Sequence, residues 1–197
     1  MNSERLSRQI DFILEADKEK NIFRQTHLSG NGRRENDAEH AWHMAIMVYL
    51  LKEYANEEFD MARAMIMALI HDIVEIDAGD TYAYDSKGLE TQQAREEQAA
   101  QRIFGLLPED QGDELRKLFE EYEANETPEA RFVRAMDNFQ PLLLNDSNDG
   151  NDWKEHGIGK SQVMKRHAAT KPGSKLIWEC SERIIEDNVR KGNLKDE

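Results

Sequence analysis

Two adjacent ionisable residues, His71 and Asp72, follow the uncharged run from Ala64 to Ile70, and Glu75 comes three positions after the aspartate. In an α-helix, successive residues are about 100° apart, so these three side chains would share one arc of about 100°. Burying such groups on an otherwise apolar helix is unfavourable unless something compensates them. A divalent cation would do so, because imidazole nitrogens and carboxylate oxygens are both metal ligands. The stretch therefore predicts a metal site.

Two further ionisable residues lie on apolar faces of predicted helices. His40 is one turn before Met44, and Asp137 is four residues after Val133. With the His71-Asp72 pair they would come from three separate helices, which a helical bundle can bring to one point. Two imidazoles and two carboxylates suit a borderline ion such as Mn, Fe, Co, Ni or Zn. Such an ion lowers the pKa of bound water and polarises a phosphoryl group, as hydrolysis at neutral pH requires.

Each of these residues also has a simpler interpretation. A single core histidine such as His40 is more often hydrogen-bonded to a carbonyl group than bound to a metal. Asp137 could pair with Arg131 or Arg134 instead. The adjacent His71 and Asp72 are harder to explain without a cation, because two neighbouring buried ionisable groups both need compensation.

The elements that must position these residues are predicted to be helices, so the expected fold class is all-α. The four prolines and the weak β-branched alternation favour this class. Capping residues mark several helix starts: Ser3, Asn36 or Asp37, Asp60, and Thr127 followed by Pro128. The predicted helices cover about 3–21, 37–54, 61–74, 90–104, 113–124, 128–144, 161–169 and 173–190, with loops at 23–32 and 145–151.

No break in the sequence is convincing enough to divide the chain. We therefore expect residues 1–197 to form a single domain. The core around the metal site would span about 23–144, and C-terminal helices within 161–191 would pack on it.

Composition excludes several classes of partner. The formal net charge of -14 argues against binding a nucleic acid polymer, whose phosphates need Lys and Arg. Cys180 is the single cysteine, which suits a reducing compartment. The polar start from Met1 to Arg8 carries no signal core, and no run of about 18 apolar residues occurs. The expectation is a cytoplasmic protein without a membrane partner.

The order of His40, His71-Asp72 and Asp137 resembles the H…HD…D signature of the HD-domain metal-dependent phosphohydrolases. Two blocks, RRENDAEH at 33–40 and HDIVEIDAGD at 71–80, are similar to the branch of 5′-deoxynucleotidases and their oxetanocin-type relatives. The resemblance runs from about 23 to 144. It implies that the all-α fold is a single HD-domain helical bundle, and it implies a homodimer.

The resemblance also implies roles for individual residues. One divalent ion would be ligated by His40, His71, Asp72 and Asp137. Glu75 would be the general acid or base beside Asp72, Asp80 would lie near the sugar, and Arg33 would reach the phosphate. The relatives carry an upstream Arg-Trp pair that contacts the nucleotide, which makes Arg24 a candidate substrate-binding residue. Here the nearest equivalent is Arg24-Gln25, one residue out of register and without the aromatic side chain. This departure leaves the nucleotide specificity open.

The expected function is metal-dependent hydrolysis of the 5′-phosphate of (deoxy)nucleoside monophosphates. A second possibility keeps the site but changes the substrate to a nucleoside triphosphate, a cyclic nucleotide or an alarmone. Alarmone hydrolases of this superfamily carry further domains, and triphosphates would need a larger basic cluster than Arg24, Arg33 and Arg34. A third possibility is a metal-stabilised structural or sensory domain without turnover. Glu75 and Asp80 argue against it, because a structural site has no use for an acid or base.

Overall fold

The computed structural model describes residues 3–197, of which most are helical. The helices are α1 (Ser3–Ala16), α2 (Asp37–Leu51), α3 (Met61–Ile70), α4 (Glu75–Ala78), α5 (Ser86–Phe104), α6 (Glu109–Ala124), α7 (Pro128–Ser147), α8 (Asn151–His156), α9 (Lys160–His167) and α10 (Lys175–Arg190). Short 3₁₀ helices cover Asp17–Asn21, Lys52–Tyr54 and Ala168–Thr170. With 71% of the residues helical, the predicted all-α class is confirmed. Within residues 3–197, no helix has the length and apolar character that a membrane span requires.

The predicted helix starts at Asn36, Asp60 and Thr127 are confirmed. Asn36 forms a capping box with Glu39, in which the Asn36 side chain accepts from the Glu39 N–H at 2.9 Å. The Glu39 carboxylate accepts from the Asn36 N–H at 3.2 Å in return. The side chains of Asp60 and Thr127 cap α3 and α7. These caps satisfy N–H groups that have no partner within the helix, and they fix where α2, α3 and α7 begin.

The predicted loop at 23–32 is wrong, because part of it forms a strand. Strand β1 (Phe23–His27) pairs antiparallel with β2 (Arg34–Asn36). The chain reverses between them through Gly30 and Asn31, whose φ angles are 74° and 56°. Polar composition suggested a loop, but the pairing with β2 and the packing of β1 against α7 stabilise a strand here. The hairpin therefore places Arg24 in a β-strand and not in a loop.

The predicted third helix is wrong at its C-terminal end. Helix α3 ends at Ile70. The following residues form a turn whose backbone hydrogen bonds join residues three apart instead of four, such as that from the Glu75 N–H to the Asp72 carbonyl at 2.9 Å. The last carbonyls of a helix lack a backbone partner, and the His71 ring nitrogen Nδ1 satisfies one of them, Ala68, at 2.9 Å. The His71-Asp72 pair therefore lies at a helix end.

The predicted loop at 145–151 is also wrong, since α7 continues to Ser147 and α8 begins at Asn151. Asn145 donates to the Pro141 carbonyl at 3.0 Å, and the Ser147 hydroxyl donates to the Leu144 carbonyl at 2.8 Å. Polar side chains that bond back to their own helix are compatible with helical structure, although their types favour loops.

The buried apolar side chains form one continuous core around α3. Ala64, Met67 and Ala68 are fully buried, and α2, α6 and α7 pack around them. The core extends to Ile177 and Ile185 on α10. By contrast, the apolar side chains of α1 are largely exposed, namely Leu6, Ile10, Ile13 and Leu14.

A close backbone approach joins the C-terminal region to α7, and it can be tested at Gly173. A Cβ atom built there would overlap the Arg131 carbonyl group. We expect Gly173→Ala to destabilise the fold by at least about 2 kcal/mol, because backbone atoms on both sides would have to move. Gly30→Ala is the control: no atom lies within 4 Å, so only its left-handed φ of 74° opposes a side chain, at about 1 kcal/mol. Equal melting temperatures for the two variants would contradict this packing.

Candidate active site

Four of the predicted residues meet at one point. His40 comes from α2, His71 and Asp72 from the turn after α3, and Asp137 from α7. The His40 Nε2 atom is 3.3 Å from Asp137 Oδ1 and 3.9 Å from Asp72 Oδ2. The His71 Nε2 atom is 3.1 Å from Asp72 Oδ2 and 3.9 Å from Asp137 Oδ1. One ligand atom each of His40, His71 and Asp72 lies within 4.8 Å of the others, and Asp137 Oδ1 lies within 3.9 Å of both imidazoles, so the four side chains could ligate one ion.

Both imidazoles are oriented by a bond on their other nitrogen. His40 Nδ1 donates to Gln140 Oε1 at 3.1 Å, and Gln140 in turn donates to Glu35 at 2.6 Å. His71 Nδ1 donates to the Ala68 carbonyl. These bonds set the tautomers and leave the lone pair of each Nε2 atom pointing into the cluster. The buried His71 Nε2 has no hydrogen-bond partner, which a bound cation would supply. The residues present thus fit a divalent metal ion.

The two carboxylates of the cluster are held from outside it. Tyr122 donates its hydroxyl to Asp137 Oδ2 at 3.0 Å, which leaves Oδ1 toward the histidines. Arg24 Nη1 donates to Asp72 Oδ2 at 2.7 Å. Burial raises the pKa of Asp72 and Asp137, but the partner histidines and arginines outweigh it, so both pKa values lie below their ordinary range. Both carboxylates are therefore ionised and able to act as ligands.

The two histidines differ in their affinity for protons. Burial lowers the pKa of His71, but the Asp72 and Asp137 carboxylates outweigh this effect and raise it to about 9. Burial and the charge of Arg24 lower the pKa of His40 to about 4. Without a metal ion, a proton on His71 therefore supplies part of the positive charge that the cluster needs.

A second group of carboxyls lies beside the cluster. One oxygen each of Asp37, Glu75 and Asp80 lies within 4.8 Å of the others. Burial, with the Asp72 carboxylate adding to it, raises the pKa of Glu75 well above its usual range and that of Asp37 to about 8. Burial therefore favours the protonated form of Glu75, which is the form that a general acid requires.

A cavity opens beside the cluster. Its walls include His71, Asp72 and Asp137 of the cluster, together with Glu75, and several aromatic side chains. The aromatic residues are Tyr82, Tyr84, Tyr122 and Trp153. Ionisable and aromatic side chains therefore line the same cavity.

The structure places some of the predicted substrate-binding residues at this cavity and not others. Arg24 and Asp80 line it. Arg33 is not among the lining residues; its exposed side chain pairs with Glu39 instead. Contact between Arg33 and a phosphate stays a prediction, and this arrangement gives it no support. The hairpin explains the difference, because Arg24 faces the cavity from β1 while Arg33 lies in the turn region before β2.

Sequence reasoning missed the residues that hold the ligands in place. Tyr122 lies in a highly charged stretch, and nothing in its spacing connects it with Asp137. Gln140 offered a signal, since it is a polar residue on the apolar stripe of α7, and its buried amide joins His40 to Glu35.

Comparison with known proteins places this arrangement in a family. The sequence model of the HD domain matches residues 16–178. The chain belongs to the HD-domain family. This HD domain is similar to the human protein named 5′-deoxynucleotidase HDDC2, with 36% identity over 111 residues, 56% of this chain and 53% of that protein. It is also similar to the 5′-deoxynucleotidase hdd1 of Schizosaccharomyces pombe, with 30% identity over 117 residues, 57% of this chain and 58% of that protein.

The aligned region spans a little more than half the length of these two curated relatives. A crystal structure from Magnetospirillum magnetotacticum, described as a predicted metal-dependent phosphohydrolase, matches this HD domain over nearly its whole length. The TM-score is 0.93 at 47% identity, covering 98% of this chain and 96% of that one.

The high pKa of His71 predicts that metal binding by this HD domain releases protons. A ligating imidazole must be neutral, so at about pH 7.5 binding of Mn²⁺ or Co²⁺ should displace at least about one proton. The apparent affinity should rise with pH until about pH 9, the pKa of His71 in the metal-free protein. Calorimetry of the metal-free protein in buffers of different ionisation enthalpy measures the proton count. His71→Gln is the control and should release fewer protons. Metal binding without proton release would contradict the assignment.

Proposed function

We propose that this chain is a metal-dependent phosphomonoesterase that hydrolyses the 5′-phosphate of deoxynucleoside monophosphates. The observation that carries the proposal is the cluster of His40, His71, Asp72 and Asp137, which opens on a cavity that Glu75 also lines. The names of the similar proteins from human and Schizosaccharomyces pombe support the same substrate class.

One divalent ion, of Mn, Co, Fe, Ni or Zn, would be held by the two Nε2 atoms of His40 and His71 and by oxygens of Asp72 and Asp137. When bound, it supplies Lewis acidity and a lower pKa for a ligated water molecule. Asp72 is the most exposed of the four, with 14% of its side chain accessible, so the open side of the cluster lies next to it.

Glu75 acts as the general acid in this proposal. Burial raises its pKa well above the ordinary range, which favours the protonated form that an acid needs. As water forms the new bond to phosphorus and loses a proton to solvent, the bond to the leaving 5′-oxygen breaks and that oxygen takes the Glu75 proton. The Glu75 Oε2 atom has no hydrogen-bond partner among the described residues. Asp80, which lines the same cavity, would accept a hydrogen bond from a hydroxyl group of the sugar.

Arg24 contributes positive charge to the same cavity. Its guanidinium bonds Asp72 at 2.7 Å and lies 3.5 Å from Asp37, so it balances the carboxylates around the reacting group. Arg33 would have to leave Glu39 before it could reach a phosphate.

We also propose that residues 1–197 act as one domain, with a metal-site core at about 23–144 and the helices within 161–191 packed on it. The burial of Ile177 and Ile185 of α10 in the common core supports this organisation. A cytoplasmic location is part of the proposal; Cys180 as the single cysteine is consistent with it.

We infer that the protein is a homodimer. Apolar side chains are exposed along α2 and α3: Trp42 is 61% accessible, Leu50 61% and Ile66 43%. Exposed apolar groups on neighbouring helices are typical of a surface that a partner covers.

Loss of metal and loss of turnover should occur together. His71→Ala and Asp72→Ala each remove one ligand, so both bound metal and hydrolysis of deoxynucleoside monophosphates should fall by at least about 100-fold. Metal content by mass spectrometry and a phosphatase screen with added divalent ions measure the two effects. His156→Ala serves as the control for metal content, since this histidine lies outside the cluster. Full turnover in either ligand variant would refute the site. Stoichiometric metal without hydrolysis of any phosphate ester would favour a structural role instead.

The dimer can be tested by introducing charge on the exposed apolar surface. Trp42→Glu and Leu50→Glu should each shift the protein from dimer to monomer in light scattering, because a carboxylate cannot be buried there without compensation. Leu176→Glu, at a residue of 49% accessibility on α10, should leave the mass unchanged. A monomeric parent protein would overturn the inference.

A further inference from the structure

We propose that Arg166 and Asn138 bind the phosphoryl group of the substrate, on the Asp137 side of the cluster. This inference rests on the proposed phosphomonoesterase function and adds a phosphoryl subsite to it. Arg166 precedes the last residue of α9, Asn138 lies in α7, and both line the cavity beside the cluster.

A phosphate monoester needs both positive charge and hydrogen-bond donors. Among the described residues that line the cavity, carboxylates are more numerous than arginines, which are Arg24, Arg134 and Arg166. Beyond the charge that a bound ion would supply, binding of a doubly negative phosphoryl group therefore depends on which arginine still has free N–H groups.

Arg24 is committed to carboxylates. It bonds Asp72 at 2.7 Å and lies 3.5 Å from Asp37, and only 13% of its side chain is accessible. Its Nη1 atom is occupied by Asp72 and little of its side chain is accessible, so it offers little to a further anion.

Arg134 is committed as well. Its guanidinium carbon lies 3.8 Å from the centre of the Tyr122 ring. Its Nη2 atom donates to the Tyr122 carbonyl at 3.3 Å and to Glu123 at 3.1 Å. With this ring contact and two hydrogen bonds, Arg134 supports the position of Tyr122.

Arg166 is the arginine that still has free hydrogen-bond donors among the described residues. Within residues 3–197 its only hydrogen bond is from Nη2 to Asp137 Oδ2, at 3.3 Å, and 37% of its side chain is accessible. A guanidinium presents five donors in a plane, so most of them remain available. The bond to Asp137 Oδ2 places these donors on the wall of the cavity beside the cluster.

Asn138 supplies an independent observation beside Arg166. The residue is 2% exposed, and both its Oδ1 and Nδ2 atoms are buried without a hydrogen-bond partner. Nearly all buried polar groups are paired, so a fully unpaired amide on a cavity wall indicates a ligand group that bonds it. The Nδ2 donor matches a phosphoryl oxygen, and Asn138 directly follows Asp137 on α7.

The test compares Arg166→Ala, Arg166→Lys and a matched control, Arg131→Ala. Arg131 has the same 37% side-chain accessibility and also pairs with a carboxylate, Glu57, but lies outside the cavity. The measured quantities are kcat and KM for a deoxynucleoside monophosphate, and inhibition constants for inorganic phosphate and for the deoxynucleoside. Arg166→Ala should weaken phosphate inhibition by about 10–100-fold, the worth of a charge-assisted hydrogen bond.

Inhibition by the deoxynucleoside should not change, because it has no phosphate. Arg166→Lys should restore part of the phosphate affinity, and Arg131→Ala should match the parent. Unchanged phosphate inhibition in Arg166→Ala would overturn the proposal. A fall in metal content in that variant would also overturn it, since Arg166 would then act by positioning Asp137.

Asn138→Leu separates binding from stability. Removing an unpaired buried amide should raise the melting temperature, while phosphate inhibition weakens by about 3–10-fold. A lower melting temperature with unchanged inhibition would make Asn138 structural and overturn its role. If the parent protein hydrolyses no phosphate monoester, the proposed function fails. Calorimetric binding of inorganic phosphate to the parent and to Arg166→Ala still decides the role of Arg166 in that case.

Discussion

The structure depends on compensating the charge of two buried carboxylates, Asp72 and Asp137. Each would be strongly unfavourable in the interior without a partner. The imidazoles of His40 and His71 face them from one side, and Arg24 and Tyr122 bond them from the other. A divalent ion would complete this balance, and in its absence a proton on His71, whose pKa is raised to about 9, takes its place.

This compensation requires helices that are distant in sequence to meet within a few ångströms. The capping box at Asn36 fixes the start of α2 and so the position of His40 in its first turn. The Gln140 amide joins that histidine to Glu35, which ties α7 to β2 through the same hydrogen-bond chain. The small side chains of Ala64 and Ala68 allow the neighbouring helices to approach α3 closely. Packing and charge compensation thus support each other.

The same electrostatic effects give the carboxyl groups at the cavity different pKa values. Carboxyls that have a cationic partner, such as Asp72 and Asp137, stay ionised and suit metal ligation. Glu75 is buried near the Asp72 and Asp37 carboxylates and has a raised pKa, which suits the proton donor that we propose it to be. Position within one acidic region would therefore separate a ligand from an acid, although all these side chains carry the same functional group.

The sequence by itself determined the all-α class, the helix starts at Asn36, Asp60 and Thr127, and the likeness to HD-domain proteins, since caps and motif spacing are local properties. It also singled out His40, His71, Asp72 and Asp137, because charge on apolar helix faces needs an explanation. Only the tertiary structure decided that 23–32 holds a strand, that α3 stops at Ile70, that Arg33 turns away from the cavity, and that Tyr122, Gln140, Asn138 and Arg166 approach the cluster. These outcomes depend on contacts between residues far apart in the chain, and local patterns carry no record of such contacts.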